Sequence, residues 1–312
     1  MKIAFLFSGQ LRSIPLNLFR KSLLNLTKDC DYDIYAYLWN EQGKSLNHAQ
    51  YQKKIFQKDK TSDLITKLFS GFKIKNIEYD SFEIFKKKLK KEYKKIFKSK
   101  DYDFATVNAI PQIYTIAKSF NLINNLDDYD LIFRCRLDSL YVHPLKLYDL
   151  EEIKRSNNLY SLNFGRAYFP ERVYDIFFGG SKDSMIFLAD IWEKLPYLVE
   201  NEFDNRLDKR DACRLLYLAA NEYDINVQSF ETRICDVFRD FKNNFYEYYL
   251  ISMHLISFKN FRSFNSLPFF YKWFKERNLK SFQIFFCVLK ALFLSPFSYL
   301  KRLKKFTRFK YR

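Results

Sequence analysis

Along the first 235 or so residues, apolar runs of strand length alternate with segments whose apolar positions recur three and four residues apart. "KIAFLF" (residues 2–7) has the length of a buried strand and stops at the polar "SGQLRS"; a helix is expected after Pro15, and "YDIYAYLW" (32–39) reads as the next strand. The chain therefore opens as a βαβ unit. "FKIKNIEYD" (72–80) reads as a further strand. After it, Phe82, Phe85, Leu89, Tyr93, Ile96 and Phe97 keep helical spacing, which turns the lysines of "KKKLKKEYKKIFKSK" (86–100) to the outside of an amphipathic helix. "PQIYTIAKSFNLINNL" (111–126) predicts another helix and "YDLIFRCRLDSLY" (129–141) a central strand. "NLYSLNF" (158–164) and "DINVQSF" (224–230) read as strands, with helices near 182–195 and 210–221. Such alternation predicts an α/β sheet with helices on both faces.

Composition adds an appendage to that picture. The chain has 312 residues, 48% of them hydrophobic, enough for one large domain and an extension. Its formal charge of +17 is uneven: residues 251–312 hold 14 Lys and Arg against one acid, Glu276, leaving 39 basic and 35 acidic side chains, a net of +4, for residues 1–250. A body over 1–250 and a basic, aromatic, helical extension over 251–312 are expected. In the extension, "SFQIFFCVLKALFL" (281–294) carries one charge, Lys290, and "KRLKKFTRFKYR" (301–312) has seven basic residues and no acid. Fourteen residues fall short of the roughly 20 that span a bilayer as a helix. An interfacial segment on an anionic inner-membrane surface, or a core helix with a solvated basic end, are the two readings of residues 281–312. Five scattered cysteines without a CxxC pair, and a Met1 that leads straight into a strand, predict a reduced, cytoplasmic compartment, to which the interfacial reading of residues 281–312 adds peripheral attachment to the inner membrane. None of the three histidines has zinc-like spacing, and His143, before Pro144, reads as a loop residue.

The candidate chemistry lies in the strand over 129–141. Side chains alternate along a strand, so Phe133, Cys135 and Leu137 are expected on one face and Arg134, Arg136 and Asp138 on the other, at the carboxyl end where α/β sheets bind ligands. Two arginines suit a diphosphate, and Asp138 suits a Mg2+ or Mn2+ ion bridging it. A self-satisfying Arg–Asp network explains the same residues equally well. "SGQLRS" places Ser8, Gly9, Gln10 and Arg12 directly after the first strand, with Gly9 allowing close approach of backbone to a ligand and Arg12 adding a phosphate-seeking cation.

In order along the chain, "FLFSGQ", "PQIYTIAKSFNLI", the YD-apolar-apolar-R-x-R-x-D strand and "YDIFFGGSKDSM" make the sequence similar to bacterial glycosyltransferases of GT-A type from capsule and lipopolysaccharide gene clusters. The resemblance spans residues 1–235 and implies a GT-A-like, Rossmann-like mixed sheet. It also implies a nucleotide-sugar donor bound by the first βα unit, with Ser8, Gly9, Gln10, Arg12, Arg134 and Arg136 in the donor site. The RxRxD strand takes the place of the DxD metal motif, with Asp138 as metal ligand and the first aspartate missing. It further implies a surface-glycan or lipid-linked acceptor near Asp175, Gly179 and Gly180. Glycosyl transfer with inversion needs a carboxylate base, for which Asp175 is the first candidate and Asp211, before "ACRLLYLAAN", the second. For Asp211, a first-turn acid favoured by the helix dipole is the competing reading. The alternative function is a non-catalytic scaffold that binds polyphosphate or nucleic acid through its basic tail. Aromatic residues at core spacing throughout, and the lack of a nucleic-acid motif, weigh against it.

Overall fold

The computed structural model describes residues 1–11, 16–40, 58–92, 109–141, 144–162, 171–201, 212–230 and 235–237. All of them fall in one compact unit, Met1–Asp240. The expected basic extension, the lysine run beyond 92, and Arg12, His143 and Asp211 lie outside the described residues.

Strand and helix alternate as the apolar pattern requires. The described elements are β1 (Lys2–Gln10), α1 (Leu16–Leu26), β2 (Asp31–Trp39), α2 (Lys58–Phe69), β3 (Ile74–Asp80), α3 (Phe82–Glu92), α4 (Ala109–Phe120), β4 (Leu131–Cys135) and β5 (Ser139–Tyr141). They continue with α5 (Leu147–Arg155), β6 (Leu159–Ser161), β7 (Phe177–Ser181), α6 (Lys182–Met185), α7 (Ile191–Asn201), α8 (Ala212–Asn221), β8 (Val227–Ser229) and β9 (Cys235–Val237). Seven strands form one mixed sheet in the order β3-β2-β1-β4-β7-β6-β8, and β5 pairs with β9 separately. The run β3-β2-β1-β4 is parallel, and β7 is antiparallel to both of its neighbours. The expected α/β class, a mixed sheet flanked by helices, is therefore the one found.

Alternation along the central strands assigns the two cores. Ile3, Phe5 and Phe7 of β1 and Leu131, Phe133 and Cys135 of β4 pack with Phe19 and Leu23 of α1, Phe69 of α2 and Ile153 of α5. On the opposite face, Ala4, Leu6 and Ile132 meet Ile113 and Ile116 of α4, Leu195 of α7 and Leu215 of α8. Burying a phenylalanine fully contributes about 1.5–3 kcal/mol, so the stack of Phe133 on Phe177, with centroids 5.4 Å apart, is a large local contribution. On α3, Phe85 and Leu89 are buried while Lys87 and Lys88 are exposed, the two faces that the spacing predicts.

Three elements depart from the sequence expectation. The helix expected over 111–126 ends at Phe120, where asparagines take over; the Asn125 side chain instead accepts from the Asp127 N–H and caps a short 3-10 turn, Leu126–Asp128. Asparagine competes for backbone hydrogen bonds and favours caps over helix interiors. The strand expected over 129–141 breaks after Cys135, and Leu137 and Asp138 make a turn into β5. The third departure is β7: "FFGGS" is a buried strand that the apolar pattern did not mark. Gly179 pairs with Phe133, and a Cβ built on Gly179 would lie 2.2 Å from Phe133 Cδ1 and 2.3 Å from the Ile132 carbonyl oxygen. On Gly180 it would meet Ser184 Oγ at 2.2 Å. Both glycines are there because β4 and the start of α6 leave no room for a side chain.

Candidate functional site

The parallel run β3-β2-β1 leaves β1 in one direction, and β4 returns to its other side, so the sheet order reverses between β1 and β4. In doubly wound folds the crevice outside the carboxyl ends of the strands at such a switch point binds ligands. Here those ends carry Ser8, Gly9 and Gln10 from β1, and the turn after β4 carries Arg136 and Asp138.

Arg134 is the last basic residue inside the strand, 1% exposed, and its Nε donates to Ser8 Oγ at 3.1 Å. Its Nη1 is buried without a partner among the described residues. Burial pulls the Arg134 pKa down to about 10, against the pull of Asp175, so it stays cationic at neutral pH. Two residues on, Arg136 forks onto Asp138, Nε to Oδ1 at 2.7 Å and Nη2 to Oδ2 at 2.8 Å, and its Nη1 donates to Asp175 Oδ2 at 2.8 Å. Burial alone would lower the Arg136 pKa, but the two carboxylates outweigh it and raise the value. The Tyr141 hydroxyl donates to the Arg136 carbonyl oxygen at 2.9 Å, and its ring is wedged among Phe7, Phe19 and Phe177, which anchors the turn in the core.

Asp175 precedes β7 and is held from two helices. Gln112, in the first turn of α4, donates through Nε2 to Oδ2, and Cys213, in the first turn of α8, contacts Oδ1 at 3.4 Å. The Val173 N–H donates to the Cys213 carbonyl oxygen at 2.9 Å, tying the segment before β7 to α8. Burial would raise the Asp175 pKa; the charges of Arg136 and Arg134, with hydrogen bonds from Cys213 and Arg136, overcome that and lower it. Two helix N-termini beside a carboxylate act in the same direction. Because its folded pKa lies below the ordinary carboxylate value near ~3.9, Asp175 contributes stability that is complete above that pH and disappears as pH falls through the folded value. Melting curves from pH 7 to pH 3 are expected to show Asp175→Asn with a lower plateau and a shallower acid decline than the parent; parallel declines would remove Asp175 from this linkage.

The geometry joins Ser8, Arg134, Arg136, Asp138 and Asp175, and leaves Gly9 at φ +107° with no described atom within 4 Å of where a Cβ would lie. Gln10 follows it, half-buried, paired with Trp39. Gly179 and Gly180, expected near the acceptor, lie inside the sheet, paired with Phe133 and Ile132 respectively. Gln112 and Cys213 were not legible from sequence, since each reaches Asp175 across 63 and 38 residues respectively; the signal available was a polar residue in the first turn of a mostly apolar helix. The residues present do not fit a cation at Asp138. Both of its oxygens lie in the Arg136 fork, and among the described residues no group of three or more His, Cys, Asp or Glu comes together as a metal ion requires.

No family model matches the chain, and no curated protein matches it. Among solved structures, it is similar to the apo form of mouse xyloside xylosyltransferase 1, at 10% identity and a TM-score of 0.37, over 74% of this chain and 85% of that one.

Proposed function

We propose that the chain is a glycosyltransferase that moves a sugar from a nucleoside-diphosphate sugar to a hydroxyl of a glycan or lipid-linked glycan. The observation that carries this reading is Arg136, suspended between two buried carboxylates at the switch point of the sheet, beside the unpartnered Nη1 of Arg134. A buried guanidinium nitrogen left without a partner costs free energy, which an anionic ligand at this position would offset.

In this reading the donor diphosphate lies over Ser8, Gly9 and Gln10, where the bare backbone of Gly9 permits close approach. It draws Arg136 Nη1 away from Asp175. Asp175, relieved of that cation, regains proton affinity and takes the proton of the acceptor hydroxyl as its oxygen bonds the anomeric carbon; the bond from that carbon to phosphate breaks, and the nucleoside diphosphate leaves with the electron pair. The low proton affinity of Asp175 in the donor-free chain then keeps the base silent until donor is present.

The test is release of nucleoside diphosphate from a panel of UDP-, GDP- and dTDP-linked donors, with and without glycan acceptors. Asp175→Asn is expected to lower turnover roughly 100- to 10,000-fold, the usual range for a general base, while donor binding is not weakened, because the carboxylate that competes with phosphate for Arg136 has lost its charge. An unchanged turnover number would remove Asp175 from the chemistry.

Among the described residues no helix is long and apolar enough to cross a membrane. Residues 281–312, outside them, are proposed on sequence grounds to hold the enzyme against anionic lipid near its acceptor. Removing them is expected to abolish co-sedimentation with anionic vesicles while donor binding persists; continued co-sedimentation would assign the membrane contact elsewhere.

A further inference from the structure

We infer that the donor diphosphate is held by the Arg136 guanidinium, oriented by Asp138, without a divalent cation. The inference rests on the donor reading above and concerns how the same site neutralises phosphate charge.

A divalent ion at a nucleoside diphosphate needs carboxylate oxygens with open lone pairs facing the phosphates. Asp138 is the carboxylate placed for that role, and it is 2% exposed with both oxygens in a fork from Arg136 at 2.7 and 2.8 Å. Seating an ion there would break two charge-assisted hydrogen bonds and set a second cation against the guanidinium, with Arg134 close behind. Asp175 offers no alternative, since its two oxygens take Arg136, Gln112 and Cys213.

The arginine, by contrast, is built for the task. Of the five N–H donors of a guanidinium, Arg136 uses three on Asp138 and Asp175. The fork to Asp138 fixes the plane of the group, as a carboxylate does for a bidentate partner, and leaves the Nη1 edge to exchange Asp175 for a phosphate oxygen. Arg134, anchored on Ser8 at 3.1 Å, has no carboxylate bonded to it among the described residues and adds its field from beneath. Asp138 is then a positioning residue for Arg136.

The experiment is calorimetric titration of the full chain with UDP, GDP and inorganic pyrophosphate, in EDTA and again with Mn2+, alongside Mn2+ electron paramagnetic resonance. The expected result is diphosphate binding of the same affinity in EDTA and in Mn2+, with no stoichiometric bound Mn2+ signal whether UDP is present or absent. Arg136→Lys, which keeps a charge and loses the fork, is expected to weaken UDP binding about tenfold to a hundredfold, the loss of one or two charge-assisted bonds. Asp138→Asn is expected to weaken it in EDTA and in Mn2+ alike. Binding that appears only with Mn2+, or a bound Mn2+ signal that Asp138→Asn removes, overturns the inference and returns Asp138 to the metal. If none of the three diphosphates binds under either condition, the donor reading itself falls, and this inference with it.

Discussion

Arg136→Ala is expected to abolish sugar transfer and to lower the melting temperature by roughly 10 °C. The stability loss follows from what the guanidinium leaves behind. Asp138 and Asp175 are 2% and 9% exposed, and both lose a charge-assisted partner at once. Removing one member of a buried ion network typically costs about 3–5 kcal/mol because the remaining charges stay desolvated. In a unit of this size each kcal/mol shifts the midpoint by about 2–4 °C. Loss of stability alone does not identify a binding residue, so the informative comparison is the triple substitution Arg136→Met, Asp138→Leu, Asp175→Leu. Replacing a whole buried network by apolar groups of similar volume is often neutral or stabilising. The triple variant should therefore recover much of the lost melting temperature and none of the transfer. Recovered transfer would show that the network only stabilises the fold.

Gly179→Ala is expected to have the other large effect, with most of the protein recovered in aggregates and any soluble fraction melting well below the parent. The added methyl would lie 2.2 Å from Phe133 Cδ1, 2.3 Å from the Ile132 carbonyl oxygen and 2.8 Å from Phe133 Cα. Two of these three atoms belong to the backbone of β4, which pairs with β1 and β7 and cannot retreat without breaking its ladders. Overpacking a core commonly costs about 1–3 kcal/mol when side chains can shift, and more where they cannot. Gly9→Ala makes the contrast, as it meets no described atom and its cost is confined to the positive φ of 107°. Circular dichroism melts of the two variants check the ordering; a Gly179→Ala protein as stable as Gly9→Ala would mean that β7 is not packed against β4 in this way.

These two cases also mark where the sequence was readable. Apolar runs such as "KIAFLF" and "YDIYAYLW" read as buried strands, Pro15 marked the start of α1, and helical patterns gave α3 and α4, so the α/β class followed from local pattern. The strand position of Gly179 and Gly180 was not legible because a glycine's meaning depends on its neighbours in space, and nothing local in "FFGGS" announces a strand pressed against Phe133. Arg134 and Arg136 were read as one strand face, yet the strand ends between them, and the turn at Leu137 and Asp138 aims Arg136 across at Asp175. That contact spans 39 residues, and those of Gln112 and Cys213 join Asp175 to two separate helices. No spacing rule reaches so far. Asp138 illustrates the same limit, since its position after the strand suggested a metal ligand and only the fork from Arg136 shows it occupied.

The central claim, that the carboxyl ends of β1 and β4 form a nucleoside-diphosphate site, is most directly tested by amide hydrogen exchange on the full chain with and without saturating UDP or GDP. The account predicts slowed exchange concentrated at residues 8–10 and 136–138, and clearly weaker at both segments in Arg136→Lys at a nucleotide concentration that just saturates the parent. Protection confined to other segments, or equal protection in the variant, would contradict it.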